Sequence, residues 1–483
     1  MFRMSLGSCL YGSLLTLGAC SFAPRYSVPA PPTAPPAQYH ELAGWKQSQP
    51  ADTGDRGNWW TVFRDPLLDS LEDRVTVDNQ NVKAAFARLQ QARAQTRIER
   101  SAYFPTLSLQ AAATRSRTST NAPLYTNTKP ATGNDFVLDA DLSYEVDVFG
   151  RIRNTVTAAR ASERASAADL ASLDLSMHAE LATDYFTLCG LDTEQALLQQ
   201  TVADYTRALQ LTQALFDGGA AARADVDQAR AQLESARTSA TDIGLRRAQT
   251  EHAIAVLVGE LPSTFHLDSK PLQVAAEPPP IAAGLPSELL ERRPDVAAAE
   301  RRVAAANAQI GVARAAYFPV FDLSAKAGFE STQTSNWLDA PSRLWSVGPA
   351  ALLTVFDAGR HRAESAQAHA RYDEQVATYR GTVLTAYQEV EDNLAALRDL
   401  QGESESEAAA VAATAGALKQ TQFQYQGGIV TYLQIAVTEN ASLAARISAA
   451  EIQIRRMNAT VLLIKALGGG WKADDRTVGS DRP

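Results

Sequence analysis

The chain has 483 residues, 20% of them charged and 45% hydrophobic, with a net charge of −9 and a mean hydropathy of −0.20. That balance fits an ordered protein, and no uninterrupted apolar run reaches the roughly 20 residues a membrane-spanning helix needs, which excludes a helical membrane bundle. The acidic balance also argues against nucleic acid as a partner, because such binding requires clustered Lys and Arg to displace counterions from phosphates.

At the start, Arg3 is followed by an apolar stretch over residues 6–17 and by Leu17-Gly18-Ala19-Cys20. This has the shape of a secretory signal over residues 1–19. It also resembles a bacterial lipobox, which implies acylation of the Cys20 thiol, with Ser21 permitting sorting to the outer membrane; an ordinary cleaved signal is the alternative. Cys9 would leave with the signal, so Cys189 would be the one unacylated thiol and no internal disulfide is possible. Residues 20–57 hold Pro24, Pro29, Pro31, Pro32, Pro35 and Pro36, and are expected to form an extended strap without a core of its own.

The remainder repeats. Ala102-Tyr103-Phe104-Pro105 recurs as Ala316-Tyr317-Phe318-Pro319, at an offset of 214. Gly150-Arg151, Gly218-Gly219 and Gly259 recur as Gly359-Arg360, Gly427-Gly428 and Gly468, at an offset of 209. The second copy is therefore five residues shorter between Pro105 and Gly150, and the helices keep their register. The expected organisation is a first repeat over residues 58–260, a Pro-rich linker over 261–286, a second repeat over 287–470 and a loose tail over 471–483.

Within each repeat two strands precede a helical hairpin. The strands are expected at about residues 106–117 and 136–149, then 320–331 and 344–356. In the second of these, Phe136, Leu138, Ala140, Leu142, Tyr144, Val146 and Val148 alternate with Asp135, Asp139, Asp141, Ser143, Glu145 and Asp147. Period two marks a strand with one apolar face, and its length exceeds the roughly 9–11 residues of a tilted membrane-spanning strand. A soluble half-buried sheet shows the same alternation. Aromatic residues at strand ends (Phe104, Phe149, Phe318, Trp345, Phe356) favour the membrane reading. If the apolar parity faces lipid, Asp139, Asp141, Glu145 and Asp147 face a lumen and favour cations. Four strands cannot close a barrel, and lipid tolerates no open sheet edge, so several copies would have to share one.

Residues 151–217 and 360–426 are 67-residue stretches without proline, each long enough for about 100 Å of helix. Leu188, Leu191, Leu198, Val202, Tyr205, Leu209 and Phe216 fall on alternating steps of three and four, a coiled-coil seam interrupted by Gln195 and Thr212. Each run meets a Gly-Gly pair and a shorter returning run, giving hairpins over residues 151–258 and 360–467. The segments around residues 68–102 and 287–316 have the length to stack on the shorter arms and complete them.

Three motifs carry a family resemblance: Trp59-Trp60-Thr61-Val62-Phe63-Arg64-Asp65-Pro66-Leu67, Leu289-Leu290-Glu291-Arg292-Arg293-Pro294-Asp295-Val296, and Ala466-Leu467-Gly468-Gly469-Gly470-Trp471. In this order, and with the duplication, the chain resembles the TolC-like outer-membrane efflux lipoproteins. The resemblance implies a mainly α fold with a small β part: a trimeric outer-membrane β-barrel with four strands per protomer, continued by a periplasmic α-helical coiled-coil barrel. It implies a passive exit duct for drugs or other small solutes, with a periplasmic adaptor and an inner-membrane pump as partners. A protein-secretion duct and a poreless coiled-coil lipoprotein are the rival readings. By the same resemblance, Gly218, Gly219, Gly427 and Gly428 are the hairpin tips offered to the adaptor. Asp225 and Tyr425 match two residues of the family's tip lock, whereas the lock arginine reads as Val430 and the ring aspartates as Gln434 and Val437. Tyr425, Gln434 and Val437 are then expected to narrow the tip. Arg292 to Asp295 reads more simply as a helix start. No H-E-x-x-H, P-loop or G-x-S-x-G motif is present, so no enzyme, metal site or cofactor is expected.

Overall fold

A computed structural model describes residues 21–33, 38–40, 57–119, 121, 132–272, 277–279, 281 and 292–469. Cys20, the signal region and Trp471 lie outside the described residues. The elements in chain order are α1 (Pro66–Asp78), α2 (Gln80–Ser101), β1 (Thr106–Arg117), β2 (Thr132–Val146), α3 (Arg151–Asp217), α4 (Arg223–Leu257), α5 (Pro294–Ala315), β3 (Val320–Ser331), β4 (Arg343–Leu352), α6 (Arg360–Gln426) and α7 (Tyr432–Ala466). They form two compact units, residues 1–29, 88–166 and 299–379, and residues 30–87, 167–298 and 380–483. Neither unit is a sequence repeat; each draws on both halves of the chain.

The first unit holds a four-stranded antiparallel sheet in the order β1-β2-β3-β4. β2 ends at Val146 although its alternation runs on to Val148, because Asp147 turns out of the strand to accept the backbone N–H groups of Ile152 (3.0 Å) and Arg153 (2.9 Å). A carboxylate there satisfies amides that the first turn of α3 leaves open and meets the positive end of its dipole. Pro349 sits inside β4, opposite Leu323. Within the chain β4 is paired on one side, by β3, so the donor that proline lacks is not demanded by this sheet if it lies on the other side. Of the strand-end aromatics, Phe149 and Phe318 stack on each other (4.7 Å between centroids), and Phe22 stacks on Phe318 (4.5 Å). Phe104, Trp345 and Phe356 are exposed.

The described part of the strap is seated rather than free. Ser21 Oγ donates to Asn154 Oδ1 (3.0 Å), Asn307 Nδ2 donates to the Pro24 carbonyl (2.8 Å), and the Tyr26 hydroxyl donates to Glu300 Oε1 (2.7 Å). A proline-rich segment has few backbone donors of its own, so side chains of α5 supply part of the pairing.

The second unit contains the main apolar core, where Trp59, Trp60, Leu68, Leu71 and Val75 pack with Leu181, Tyr185 and Phe186 of α3, Ile254 and Leu257 of α4, and Val461 and Ile464 of α7. Asp65 starts α1 by accepting from Leu67 N (3.1 Å), with Pro66 in the first turn. The α3 seam is buried at Leu188, Leu191, Leu198 and Tyr205. Thr212, which interrupts it, is buried too and spends its hydroxyl on the Ala208 carbonyl.

The repeat persists at the level of single bonds where the shorter arms end. In the first copy Asn79 Nδ2 donates to the Leu257 carbonyl (2.8 Å), while Asn79 Oδ1 accepts from Asn81 N and starts α2. In the second copy Arg293, 214 residues on, donates to the carbonyl of Ala466 (3.2 Å), itself 209 beyond Leu257. One side chain in each copy thus closes the end of the returning helix at the point where the next helix begins. A Cβ added at Gly259 or Gly468 would lie 2.6 Å from the carbonyl oxygen of Asp78 or Arg292, so both junctions require glycine.

Gly190, the one glycine of α3, is a socket: a Cβ there would fall 2.1 Å from Ile454 Cδ1 of α7. Gly190→Ala is expected to destabilise the protein by about 1–3 kcal/mol through overpacking, and adding Ile454→Val should return part of that loss. Thermal unfolding of the two single variants and the double variant checks this; additive losses would refute the socket.

Candidate functional site

The hairpin turns are built by the same local rule. After α3, Gly219 N–H bonds to Phe216 O and Ala220 N–H to Leu215 O; after α6, Gly428 N–H bonds to Tyr425 O and Ile429 N–H to Gln424 O. These are Schellman caps, whose left-handed residue favours glycine. Gly219 (φ 79°) and Gly428 (φ 69°) fill that place. Gly218 and Gly427 precede them as exposed residues without positive φ, so only the second glycine of each pair is required by backbone conformation.

Around these turns the four gate candidates occupy different environments. Asp225 accepts the Ala222 backbone N–H through Oδ2 (3.1 Å) at the start of α4 and so has a capping role. Tyr425 is half-buried and meets the Tyr432 ring edge-on, with centroids 6.3 Å apart. Gln434 and Val437 are exposed on α7, opposite the face that buries Tyr432, Ile435 and Ala436. The structure of the single chain brings Tyr425 against its own hairpin and leaves Gln434 and Val437 open.

The four strand acids are largely compensated. Asp139 is buried and lies 2.8 Å from Lys326 Nζ, and Lys326 faces Asp141 across the β2–β3 ladder. Glu145 takes Arg151 through both oxygens (2.8 and 2.5 Å), and Asp147 pairs with Arg153 (3.2 Å) besides capping α3. Among the described residues Asp141 is the one of the four without an ion pair. The alternation in the sequence placed the acids; it did not show that basic residues at the start of α3 and on β3 reach them.

A buried pair escaped the sequence reading. Glu72 of α1 is fully buried, its Oε2 2.6 Å from His178 Nδ1 on α3, and the Trp60 ring stacks on the imidazole at 4.5 Å. Burial, reinforced by Asp174, Asp69 and Asp73, pushes the Glu72 carboxyl up to about 9, while burial lowers His178 to about 4. Over most of the pH range the pair is therefore neutral, with the proton on Glu72. Helical spacing holds the signal: Leu68, Leu71, Glu72 and Val75 share one face, which puts an acid on the apolar stripe.

No helix among the described residues is long and apolar enough to cross a membrane, and no cluster of metal-ligating side chains occurs among them. What the described residues present is the class of a β-sheet joined to long paired hairpins, without catalytic machinery. The family model for outer membrane efflux protein matches residues 72–260 and again 285–469, and the chain belongs to that family. It is 34% identical to outer membrane protein OprJ of Pseudomonas aeruginosa, over 95% of this chain and 94% of that protein. It is 31% identical to the pyoverdine export outer membrane protein OpmQ of the same organism, over 96% and 97%. The solved outer-membrane channel OprN superposes with a TM-score of 0.85 at 31% identity, covering 94% of this chain and all of that one. The protein is accordingly a passive outer-membrane efflux duct.

The Glu72–His178 pair contributes to the pH dependence of stability in both directions. The raised carboxyl contributes stability that is complete below about 4.5 and is lost as pH climbs towards about 9; the lowered imidazole contributes above about 6.5 and is lost as pH falls through about 4. Glu72→Gln keeps a donor for His178 and is expected to remove the alkaline decline in melting temperature attributable to this site. An alkaline decline as steep as that of the parent protein would refute the assignment.

Proposed function

We propose that three copies of this chain share one twelve-stranded barrel in the outer membrane and continue into a periplasmic helical tunnel, with Cys20 acylated as a lipid anchor. The observation that carries this reading is the sheet itself: β1 and β4 are its edges, and Leu107, Leu109, Trp345 and Val347 are exposed on them. Unpaired edges in lipid cost several kcal/mol per backbone group, so the edges of neighbouring copies pair. Barrel closure then places Asp139, Asp141, Glu145 and Asp147 on the lumen side, where Lys326, Arg151 and Arg153 offset part of their charge.

The tips at Gly218, Gly219, Gly427 and Gly428 dock a periplasmic adaptor, which links the duct to an inner-membrane pump that supplies the energy. The exported class is drugs or other small solutes, and the pyoverdine exporter among the relatives supports that choice over protein secretion. The tip narrows through Gln434 and Val437 without an arginine lock; Tyr425 and Asp225 contribute by holding their own hairpins, since each is engaged within one chain.

Heat-modifiable trimers in outer-membrane fractions are the expected outcome, and a monomer there would overturn the shared barrel. In planar bilayers the channel should favour cations weakly and resist block by micromolar multivalent cations. Anion-preferring reversal potentials would refute the lumen assignment, and micromolar block would refute the uncharged tip. An adaptor gene and a proton-driven pump gene beside this one support small-solute export, whereas an ABC exporter with a protein substrate would reverse that assignment.

A further inference from the structure

Near the hairpin turns, α3, α6 and α7 line a half-open cavity of about 450 Å³. Tyr205, Tyr425 and Tyr432 contribute its aromatic lining, and Glu439 of α7 stands among them. Two of the phenols have already spent their protons: Tyr205 donates to Asn440 Oδ1 (2.8 Å) and Tyr432 to Gln232 Oε1 (3.1 Å). They can therefore offer a ligand only ring faces and oxygen lone pairs. Glu439 Oε2 is buried and has no hydrogen-bond partner among the described residues.

The charges facing Glu439 do not satisfy it. On α3, Asp204 is a second acid and Arg207 is committed to Asp204. On α6, Tyr425 is the one titratable group that lines the cavity. On α7, Arg446 lines the cavity two turns along and is exposed. Burial, with Asp204 adding to it, pushes the Glu439 carboxyl up to about 7. A largely buried carboxyl that is acceptor-only once ionised, with an aromatic surround and room beside it, is the complement of a cation with an apolar body.

We propose that this cavity binds a small organic cation, a primary ammonium on an aromatic or alkyl body, with the ammonium on Glu439 Oε2 and the body against the tyrosine rings. The ammonium supplies donors that the phenols lack, and the pairing is charge-assisted. Because the cation binds the ionised carboxylate, binding near neutral pH expels a proton from Glu439 to the buffer, and affinity falls roughly tenfold for each pH unit well below 7.

The test is calorimetric titration of the purified full-length protein with phenethylammonium chloride at pH 6 and pH 8, in buffers of different ionisation heat. Saturable binding at pH 8, weaker at pH 6 and accompanied near pH 7 by proton release, is the expected result. Glu439→Gln should lower affinity at pH 8 by about tenfold or more, the range of a lost charge-assisted bond, with unchanged circular dichroism, and neutral 2-phenylethanol should not bind. Equal binding by Glu439→Gln or by the alcohol, or no saturable binding at pH 8, would overturn the site. Binding that emerges only in Arg446→Ala would overturn it too, by showing that Arg446 already occupies Glu439.

Discussion

A backbone amide or carbonyl left without a partner costs a few kcal/mol in an apolar setting, and a chain built from 67-residue helices and a narrow sheet meets that cost at every place where an element stops. The helix ends are met locally. Schellman caps at Gly219 and Gly428 close the long arms, Asp147 covers the first amides of α3, and Asn79 and Arg293 close the last carbonyls of the returning arms while the next helices begin beside them. The core residues pack around ends that are already satisfied. The sheet edges are different, because β1 and β4 find no further strand among the described residues to pair with, and that is the ground on which a barrel shared between copies is proposed.

The duplication follows the same logic. Asn79 and Arg293 are chemically unlike, yet both reach a carbonyl at the matching point of their copies, and Gly259 and Gly468 each leave room for the carbonyl just before them in space. What descends through the repeat is the requirement at the junction, not the residue that meets it. Arg293 meets it with more charge and is paired with Asp295 and Glu389, where the uncharged Asn79 of the first copy needs no such partners.

Much of this was legible in the sequence. Proline-free runs bounded by glycine gave the long helices, because proline breaks a helix and glycine ends one; alternation gave the strands, because a pleat turns successive side chains to opposite faces. The reading failed where one side chain had two demands on it. Asp147 continues the alternation of β2 and yet belongs to α3, since two open amides outbid a ladder position. Glu72 and Glu439 lie one helical turn from buried apolar residues, Leu68 in α1 and Ile435 in α7, where helical spacing alone predicts an apolar side chain.

The sequence by itself therefore determined the class of the protein, its internal repeat, the two 67-residue helices and the family to which it belongs, since these depend on periodicities and breakers that act within a few residues. The tertiary structure alone decided which charges are compensated and which remain. Lys326 meets Asp139 and Arg151 meets Glu145 only once strands and helices are placed, and Glu72 finds His178 across 106 residues of chain. Charge pairing over such separations depends on distance in space, to which the order of residues along a chain is blind until the fold brings them together.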